Sequence, residues 1–207
     1  FRQAMILHII HLPKIYFHSA SKEYQESIRR KESFEKEMKE QGIAYVVHDA
    51  ILNEPAPFTG CIQSHKAIVR EAKHKGFKEV AIAEDDIKFF APGAWDYFLK
   101  CKPESFDLYL GMSYSLNNFK DGLIRGQFDS LTLYIISERF YDEFLALPED
   151  NHADRELSRI CDKKEFRICI PYVAEQLNGY SYLAKRERTY EHRIADKPKF
   201  GLVVNSQ

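Results

Sequence analysis

Short apolar runs alternate with long charged segments in the first part of the chain. Residues 5–12 and 43–47 are compact and apolar, whereas residues 21–41 are dense in Lys, Glu and Arg and are followed by Gly42. Short apolar runs are typical of buried strands, and sparse apolar positions that end at a glycine are typical of an amphipathic helix with its C-cap. The first fifty residues therefore predict a β-α-β unit of a parallel sheet.

The same alternation continues through the rest of the chain. Residues 53–60 contain two prolines and a glycine, which predicts a loop, residues 61–75 have the apolar spacing of a helix, and residues 79–83 form another apolar run. Further strands are predicted at residues 106–110, 131–137 and 166–170, helices at 95–101, 138–147 and 154–163, and a loop at 114–127. This order predicts the α/β class.

Length and composition indicate one packed domain. A chain of 207 residues, 44% hydrophobic and 14% aromatic, is long enough for a substantial core, and we expect residues 1–207 to form a single domain. Residues 185–199 are rich in Lys, Arg and Glu, so residues 185–207 are predicted to form an extended C-terminal arm.

Charge and cysteine usage exclude several classes of function. Lys and Arg total 30 and Asp and Glu total 31, so no overall positive field marks a nucleic-acid binder. No apolar stretch reaches the roughly 18–20 residues of a membrane span, and no signal peptide is evident, so a cytoplasmic protein is expected. The four cysteines show no Cys-x-x-Cys spacing, which argues for free thiols rather than a zinc ribbon or redox site.

Three consecutive carboxylates, Glu84, Asp85 and Asp86, follow directly after the apolar run at residues 79–83. Ligands in open α/β sheets gather at the carboxyl ends of strands. Adjacent carboxylates repel one another, and a divalent cation is the simplest compensator, since Mg²⁺ and Mn²⁺ prefer oxygen ligands and substrate phosphates. The alternative is that these acids only cap the next turn or face solvent.

A second polar segment, GCIQSH, precedes the triplet by about twenty residues. Gly60 is predicted to precede a helix whose first turns carry Cys61, Ser64 and His65, and a helix N-terminus with free N–H groups can bind an anion. Ser64 and His65 can instead brace the acidic loop through hydrogen bonds. Adjacent residues are poorly placed to act as nucleophile and base, so a hydrolase is not expected.

The order of GCIQSH, a helix, and the strand VAIAEDDI resembles glycosyltransferase family 25, which includes lipopolysaccharide β-galactosyltransferases and procollagen galactosyltransferases. Members carry a Gly/Ala-Cys-x-x-Ser-His segment and then a strand ending in Glu-Asp-Asp. The segments HDAIL, DLYLG, LTLYIISERFYDEFL, NHADRELSR and IPYVAEQLNGYS are also similar to the family, so the resemblance covers most of the chain.

The resemblance implies a GT-A type nucleotide-diphospho-sugar transferase fold, with a mixed central sheet flanked by helices and the acidic triplet in the part of the Asp-x-Asp metal motif. It implies Asp86 as the direct ligand of Mn²⁺ or Mg²⁺, Glu84 as a second ligand, and Asp85 as a nucleotide-sugar contact or supporting residue. The chain lacks the Asp-Arg-x-x-Arg opening of many members. Arg29 or the adjacent Arg30 can substitute for the arginine that contacts the diphosphate.

The family inverts the anomeric centre, so the resemblance also implies a general base that removes the acceptor proton. Asp154, in the segment that matches the family's Asp-containing helix, is the first choice, and Glu175 is the second. Asp154 can also be read as an ordinary acid in the first turn of a helix.

Together these features predict an inverting glycosyltransferase that moves galactose or glucose from a UDP-sugar to a saccharide or glycolipid acceptor in lipopolysaccharide or surface polysaccharide assembly. The alternative is a catalytically inactive GT-A domain that binds a nucleotide or saccharide, or acts as an interaction module. A phosphotransferase or nuclease ranks lower because no P-loop glycine motif is present. The basic C-terminal segment suggests a peripheral contact with the inner face of an anionic membrane.

Overall fold

A computed structural model describes residues 5–116 and 118–202 of the chain. Its main sheet has eight strands, which are β1 Leu7–His11, β2 Tyr45–Asp49, β3 Glu79–Glu84, β5 Leu108–Leu110, β6 Asn118–Lys120, β7 Leu123–Arg125, β8 Leu133–Ser137 and β9 Phe166–Ile168. Two small antiparallel pairs complete the strands: β4 Ile87–Phe89 with β10 Ala174–Gln176, and β11 Gly179–Ser181 with β12 Arg186–Arg188.

The sheet order is β2-β1-β3-β8-β5-β9-β7-β6. Strands β2, β1 and β3 run parallel, β8 is antiparallel to both β3 and β5, and β9 is again parallel to β5. The sheet is therefore mixed, as predicted. Because β2 and β3 lie on opposite sides of β1, the chain changes winding direction there, and a crevice is expected at the carboxyl ends of these strands.

In the described part of the chain, five α-helices cover the two faces of the sheet. They are α1 Lys22–Gln41, α2 Pro57–His74, α3 Ala94–Lys100, α4 Tyr141–Leu145 and α5 Ala153–Ile160. Short 3-10 helices lie at Lys14–Tyr16, Glu138–Phe140, Cys161–Lys163 and Glu191–Ile194.

Alternation along the strands divides the core into two layers. In β3, Val80 and Ile82 face the layer of α2, α4 and α5, whereas Ala81 and Ala83 face the layer of α1 and α3. The same alternation in β5 and β8 gives both faces an apolar surface, so the central strands are buried on both sides.

Most predicted elements are confirmed, with shifts at their ends. Helix α1 begins after Ser21, whose side chain accepts a hydrogen bond from Tyr24 N (3.1 Å), and ends at Gly42 in the left-handed conformation. Helix α2 starts at Pro57 instead of residue 61, because proline at the first helical position is preset for helix geometry.

The predicted loop at residues 114–127 is wrong at residues 118–125, which contain the hairpin β6-β7. Asp121 and Gly122 both have positive φ (51° and 73°), as a tight turn between two short strands requires. Strands β4, β10, β11 and β12 are missing from the prediction, because they are short and, unlike the equally short β5 and β9, do not lie within an apolar run.

Within the described ranges, no helix combines the length and the apolar character needed to cross a membrane.

Candidate functional site

A cleft of about 450 Å³ lies at the carboxyl ends of β1 and β3. Its floor contains the acidic triplet, and its walls come from α2, the start of α5 and the segment around β11 and β12. Residues 51–54, between β2 and α2, form part of its rim. The cleft therefore stands at the place where the sheet order predicts a ligand crevice.

Asp85 is a buried carboxylate, and both of its oxygens have hydrogen-bond partners. Its Oδ1 accepts a hydrogen bond from Arg30 Nη1 (2.8 Å), and its Oδ2 lies 2.7 Å from His11 Nδ1 at the end of β1. Burial raises the pKa of Asp85, but Arg30 and His11 outweigh burial, so the pKa is lowered. Since both oxygens already have partners, Asp85 holds α1, β1 and β3 together and is poorly placed for the predicted contact with a nucleotide sugar.

Asp86 differs from Asp85 in its partners. Its Oδ2 accepts a hydrogen bond from Gln176 Nε2 (3.2 Å) and lies 3.3 Å from Arg30 Nη1. Its Oδ1 is buried and has no hydrogen-bond partner among the residues that the structure describes. Burial, together with Glu84 and Asp85, raises the pKa of Asp86 to about 7, although Arg30 opposes the rise. A buried carboxylate with one free oxygen and acidic neighbours is a fitting place for a cation.

Glu84 is the most exposed member of the triplet, with 24% of its side chain accessible. Its Oε1 lies 3.3 Å from His65 Nε2 and 4.0 Å from Cys61 Sγ. The other ring nitrogen of His65, Nδ1, lies 2.9 Å from the Tyr134 hydroxyl. His65 therefore braces the acidic strand end, as the second of the two hypotheses for this segment states.

The predicted anion site at the start of a helix beginning with Cys61 is wrong in its geometry. Gly60 does not precede α2 but lies in its first turn, so Cys61, Ser64 and His65 are within the helix. Ser64 Oγ donates to Gly60 O (2.7 Å) and accepts from Ile51 N (2.8 Å), which ties the cleft rim to α2. A Cβ on Gly60 would lie 2.4 Å from Ile51 O, so this close approach requires glycine.

The two base candidates occupy different positions. Asp154 lines the cleft from the first turn of α5, where its Oδ2 accepts a hydrogen bond from Ser130 N (3.0 Å), and burial raises its pKa. Glu175 does not line the cleft, because alternation in β10 turns Gln176 toward the cleft and leaves Glu175 paired with Lys88 (3.3 Å).

Arg30, rather than Arg29, reaches the acidic triplet. The Arg29 side chain is 42% exposed and is held by Glu26 (2.6 Å) and the Asn178 carbonyl (2.7 Å). Arg30 is buried and contacts Asp85, Asp86, Glu26 and the Tyr180 carbonyl. A helix period of about 3.6 residues separates neighbours by about 100°, so two adjacent arginines face different surroundings.

The basic C-terminal segment folds against the cleft in the part that the structure describes. Lys185, Arg188, Tyr190 and Arg193 line the cleft, and Ile194 is fully buried in the core. Arg193 Nη2 pairs with Asp129 Oδ2 (2.7 Å), whereas Arg188 is exposed. Residues 203–207 of the predicted arm lie outside the described residues. The sequence does not identify His11 and Gln176, which contact the triplet, or Tyr190, which lines the cleft, because only the tertiary fold brings these residues to the site.

No family model matches the chain, and no curated protein matches it in sequence. Similarity to solved structures is clear. A protein from STIV superimposes with a TM-score of 0.52 at 11% identity, covering 99% of this chain and 98% of that one. A glycosyltransferase involved in glycosylation of the major capsid of PBCV-1 has a TM-score of 0.52 at 9% identity, with 82% and 83% covered.

A third similar structure is a mutant β-1,4-galactosyltransferase 7 from Drosophila in complex with manganese, UDP-Gal and xylobiose. It has a TM-score of 0.50 at 11% identity and covers 98% of this chain and 84% of that one. These likenesses show the fold: a mixed α/β sheet flanked by helices, of the GT-A type used by nucleotide-sugar transferases. The predicted fold class is confirmed.

Proposed function

We propose that this chain is a metal-dependent glycosyltransferase that moves a hexose, galactose or glucose, from a UDP-sugar to a saccharide acceptor with inversion. The proposal includes kinship with glycosyltransferase family 25 and a role in lipopolysaccharide or other surface polysaccharide assembly, with a glycolipid as one form of the acceptor. The observation that carries the proposal is the free, buried Oδ1 of Asp86 on the floor of the cleft, at the carboxyl end of β3 in a GT-A fold.

The charge balance of the site supports a cation. Glu26, Asp85 and Asp86 are buried and all three pair with the buried Arg30, and Glu26 also pairs with Arg29. Glu84 is partly buried and lies against His65. Uncompensated buried carboxylates are costly, and oxygen ligands suit Mn²⁺ or Mg²⁺. Asp86 and Glu84 would hold the ion, and a bound ion would supply positive charge to stabilise the leaving diphosphate.

The walls of the cleft supply groups for the other parts of the reaction. Asp154, with its raised pKa, is the proposed general base that accepts the proton of the acceptor hydroxyl. The exposed Arg188 at the cleft is proposed to contact the donor diphosphate, since arginine binds phosphate oxygens through its fork of N–H groups. The ring of Tyr190, which is buried and stacked on Tyr114, lies 6.0 Å from the Arg188 guanidinium and supports it at the cleft.

The test is turnover and binding of UDP-hexoses with and without Mn²⁺. UDP-galactose and UDP-glucose are incubated with the full chain, and release of UDP is followed with and without a saccharide acceptor. Asp86→Asn is expected to abolish metal-dependent UDP release. Asp96→Asn, which neutralises an exposed acid outside the cleft, is the matched control and is expected to keep the wild-type rate.

Two outcomes would contradict the proposal in different ways. Binding of UDP-sugar that is unchanged by a chelator and by Asp86→Asn would contradict the metal site. Metal-dependent binding without any UDP release, across all hexose donors and acceptors tried, would favour the alternative of an inactive GT-A domain that binds nucleotide or saccharide.

A further inference from the structure

Three side chains with metal-binding chemistry meet beside the acidic triplet. Cys61 and His65 are four residues apart on α2, so they lie on the same helix face, and Glu84 ends the adjacent β3. Their ligand atoms all lie within 4.8 Å of one another. All three residues line the cleft, so an ion can reach them from solvent.

We propose that Cys61, His65 and Glu84 form a second cation site that takes zinc-class ions and shares Glu84 with the site of Asp86. Its donor set of sulfur, imidazole nitrogen and one carboxylate oxygen suits Zn²⁺ or Co²⁺ rather than Mn²⁺ or Mg²⁺, which prefer oxygen. The expected effect of this second site on turnover rests on the proposed function, whereas binding of the ion does not.

The distances are close to those of a bound ion. Zinc bonds of about 2.0–2.3 Å at tetrahedral angles place ligand atoms about 3.3–3.6 Å apart. His65 Nε2 already lies 3.3 Å from Glu84 Oε1, and Cys61 Sγ lies 4.0 Å from the same oxygen. Cys61 Sγ and the His65 ring nitrogen lie within 4.8 Å of each other, so binding an ion requires the Cys61 side chain to move toward the other two ligands.

The surroundings of His65 prepare it as a ligand. In the free chain Nε2 donates to Glu84 Oε1 (3.3 Å), and Nδ1 lies 2.9 Å from the hydroxyl of the buried Tyr134. When an ion takes the place of the Nε2 proton, the ring carries its proton on Nδ1 and donates it to the Tyr134 oxygen, which leaves the Nε2 lone pair for the ion. A partner on the far ring nitrogen is the usual support for a metal-binding histidine. Tyr134 is therefore a positioning residue of this site.

The thiol must lose its proton when the ion binds. Burial and the nearby carboxylates raise the pKa of Cys61, so the free chain holds it as a thiol. As the metal–sulfur bond forms, the proton passes to solvent. With three protein ligands, a four-coordinate ion would keep one position for water.

Sharing Glu84 makes the two ions antagonists. A zinc-class ion on Glu84 neutralises negative charge that the Asp86 site would otherwise use, and two cations that share one carboxylate repel each other. Zn²⁺ is therefore expected to raise the Mn²⁺ concentration needed for half-maximal turnover, in a way that added Mn²⁺ reverses.

The test of the site uses Co²⁺ as a probe and does not depend on turnover. Chelator-treated full chain is titrated with Co²⁺, and a near-ultraviolet thiolate-to-cobalt band is expected to saturate at one equivalent. Cys61→Ser is expected to remove the band, whereas Cys101→Ser, which changes an exposed cysteine, is expected to keep it. Tyr134→Phe is expected to weaken Co²⁺ binding by about 10–100-fold.

No thiolate band in the wild type, or a band that persists in Cys61→Ser, would overturn the site. Glu84→Gln provides a second measurement if Cys61→Ser fails to fold. It is expected to weaken Zn²⁺ binding by at least about 10-fold, and unchanged Zn²⁺ affinity would overturn the proposal. A chain that binds Co²⁺ as described but shows no UDP release keeps this site and loses only the proposed function.

Discussion

Replacing Arg30 by methionine is expected to destabilise the fold far more than the same change at its neighbour Arg29. Arg30 Nη1 lies 2.8 Å from Asp85 Oδ1 and 3.3 Å from Asp86 Oδ2, and all three side chains are buried. The variant leaves Asp85 buried with His11 as its remaining partner. Breaking a buried pair by removing one member costs about 3–5 kcal/mol.

Arg29→Met is the matched control, since it removes the same group from the adjacent position of the same helix. The Arg29 side chain is 42% exposed, so its pair with Glu26 is screened by solvent and is expected to contribute about 1 kcal/mol or less. The difference between the two variants is therefore about 3 kcal/mol in the free energy of unfolding.

The assay is urea unfolding followed by circular dichroism at neutral pH. With a slope of about 2–3 kcal/mol per molar urea, Arg30→Met should lower the midpoint by on the order of 1–2 M. The double variant Arg30→Met/Asp85→Asn removes both charges and should regain part of the loss, because the buried charge is then gone. An Arg30→Met variant that loses no more unfolding free energy than Arg29→Met, or a double variant no more stable than Arg30→Met, would contradict the energetic importance of the buried pair.

Two further predictions concern protonation. Asp154→Asn is expected to lower the transfer rate by about 10²–10⁴-fold with little change in UDP-sugar binding. Because burial raises the pKa of Asp154, wild-type activity should fall as the pH drops through that raised pKa. If Asp154→Asn shows the same fall in activity at low pH as the wild type, Asp154 is not the base. Burial lowers the pKa of His8 from 6.5 to about 4. The unfolded chain therefore binds a proton at His8 before the folded chain does, so the contribution of His8 to stability is present above pH 6.5 and is lost as the pH falls toward 4. This shift corresponds to an upper limit of about 3 kcal/mol, and since the ring is half-buried we expect about 1 kcal/mol. His8→Asn should therefore reduce the loss of unfolding free energy between pH 7 and pH 4.5, and an unchanged loss, equal to that in the exposed control His74→Asn, would contradict the assignment.

Strong local patterns made much of the fold predictable. The buried runs that became β1, β3 and β8 and the charged helix α1 with its Gly42 cap follow from periodicity and capping, which depend on near neighbours in the chain. Very short strands such as β4 and β10 depend on a distant partner strand. Their sequences alone do not distinguish them from loops.

The candidate site, like the fold, could be predicted only in part. Three adjacent carboxylates at the end of an apolar strand were visible in the sequence, and so was the Cys-x-x-Ser-His segment before them. Their separate roles were not. The tertiary structure places Arg30 and His11 against Asp85, leaves one oxygen of Asp86 free, and turns Glu84 toward His65.

The class of the fold and the position of the acidic strand end could therefore be predicted from the sequence, because both depend on residues close together along the chain. Which carboxylate is paired with cations and which has a free oxygen becomes visible only in the folded protein. Burial, hydrogen-bond partners and pKa depend on side chains from α1, β1 and β10, which lie far away in sequence and meet only when the sheet forms.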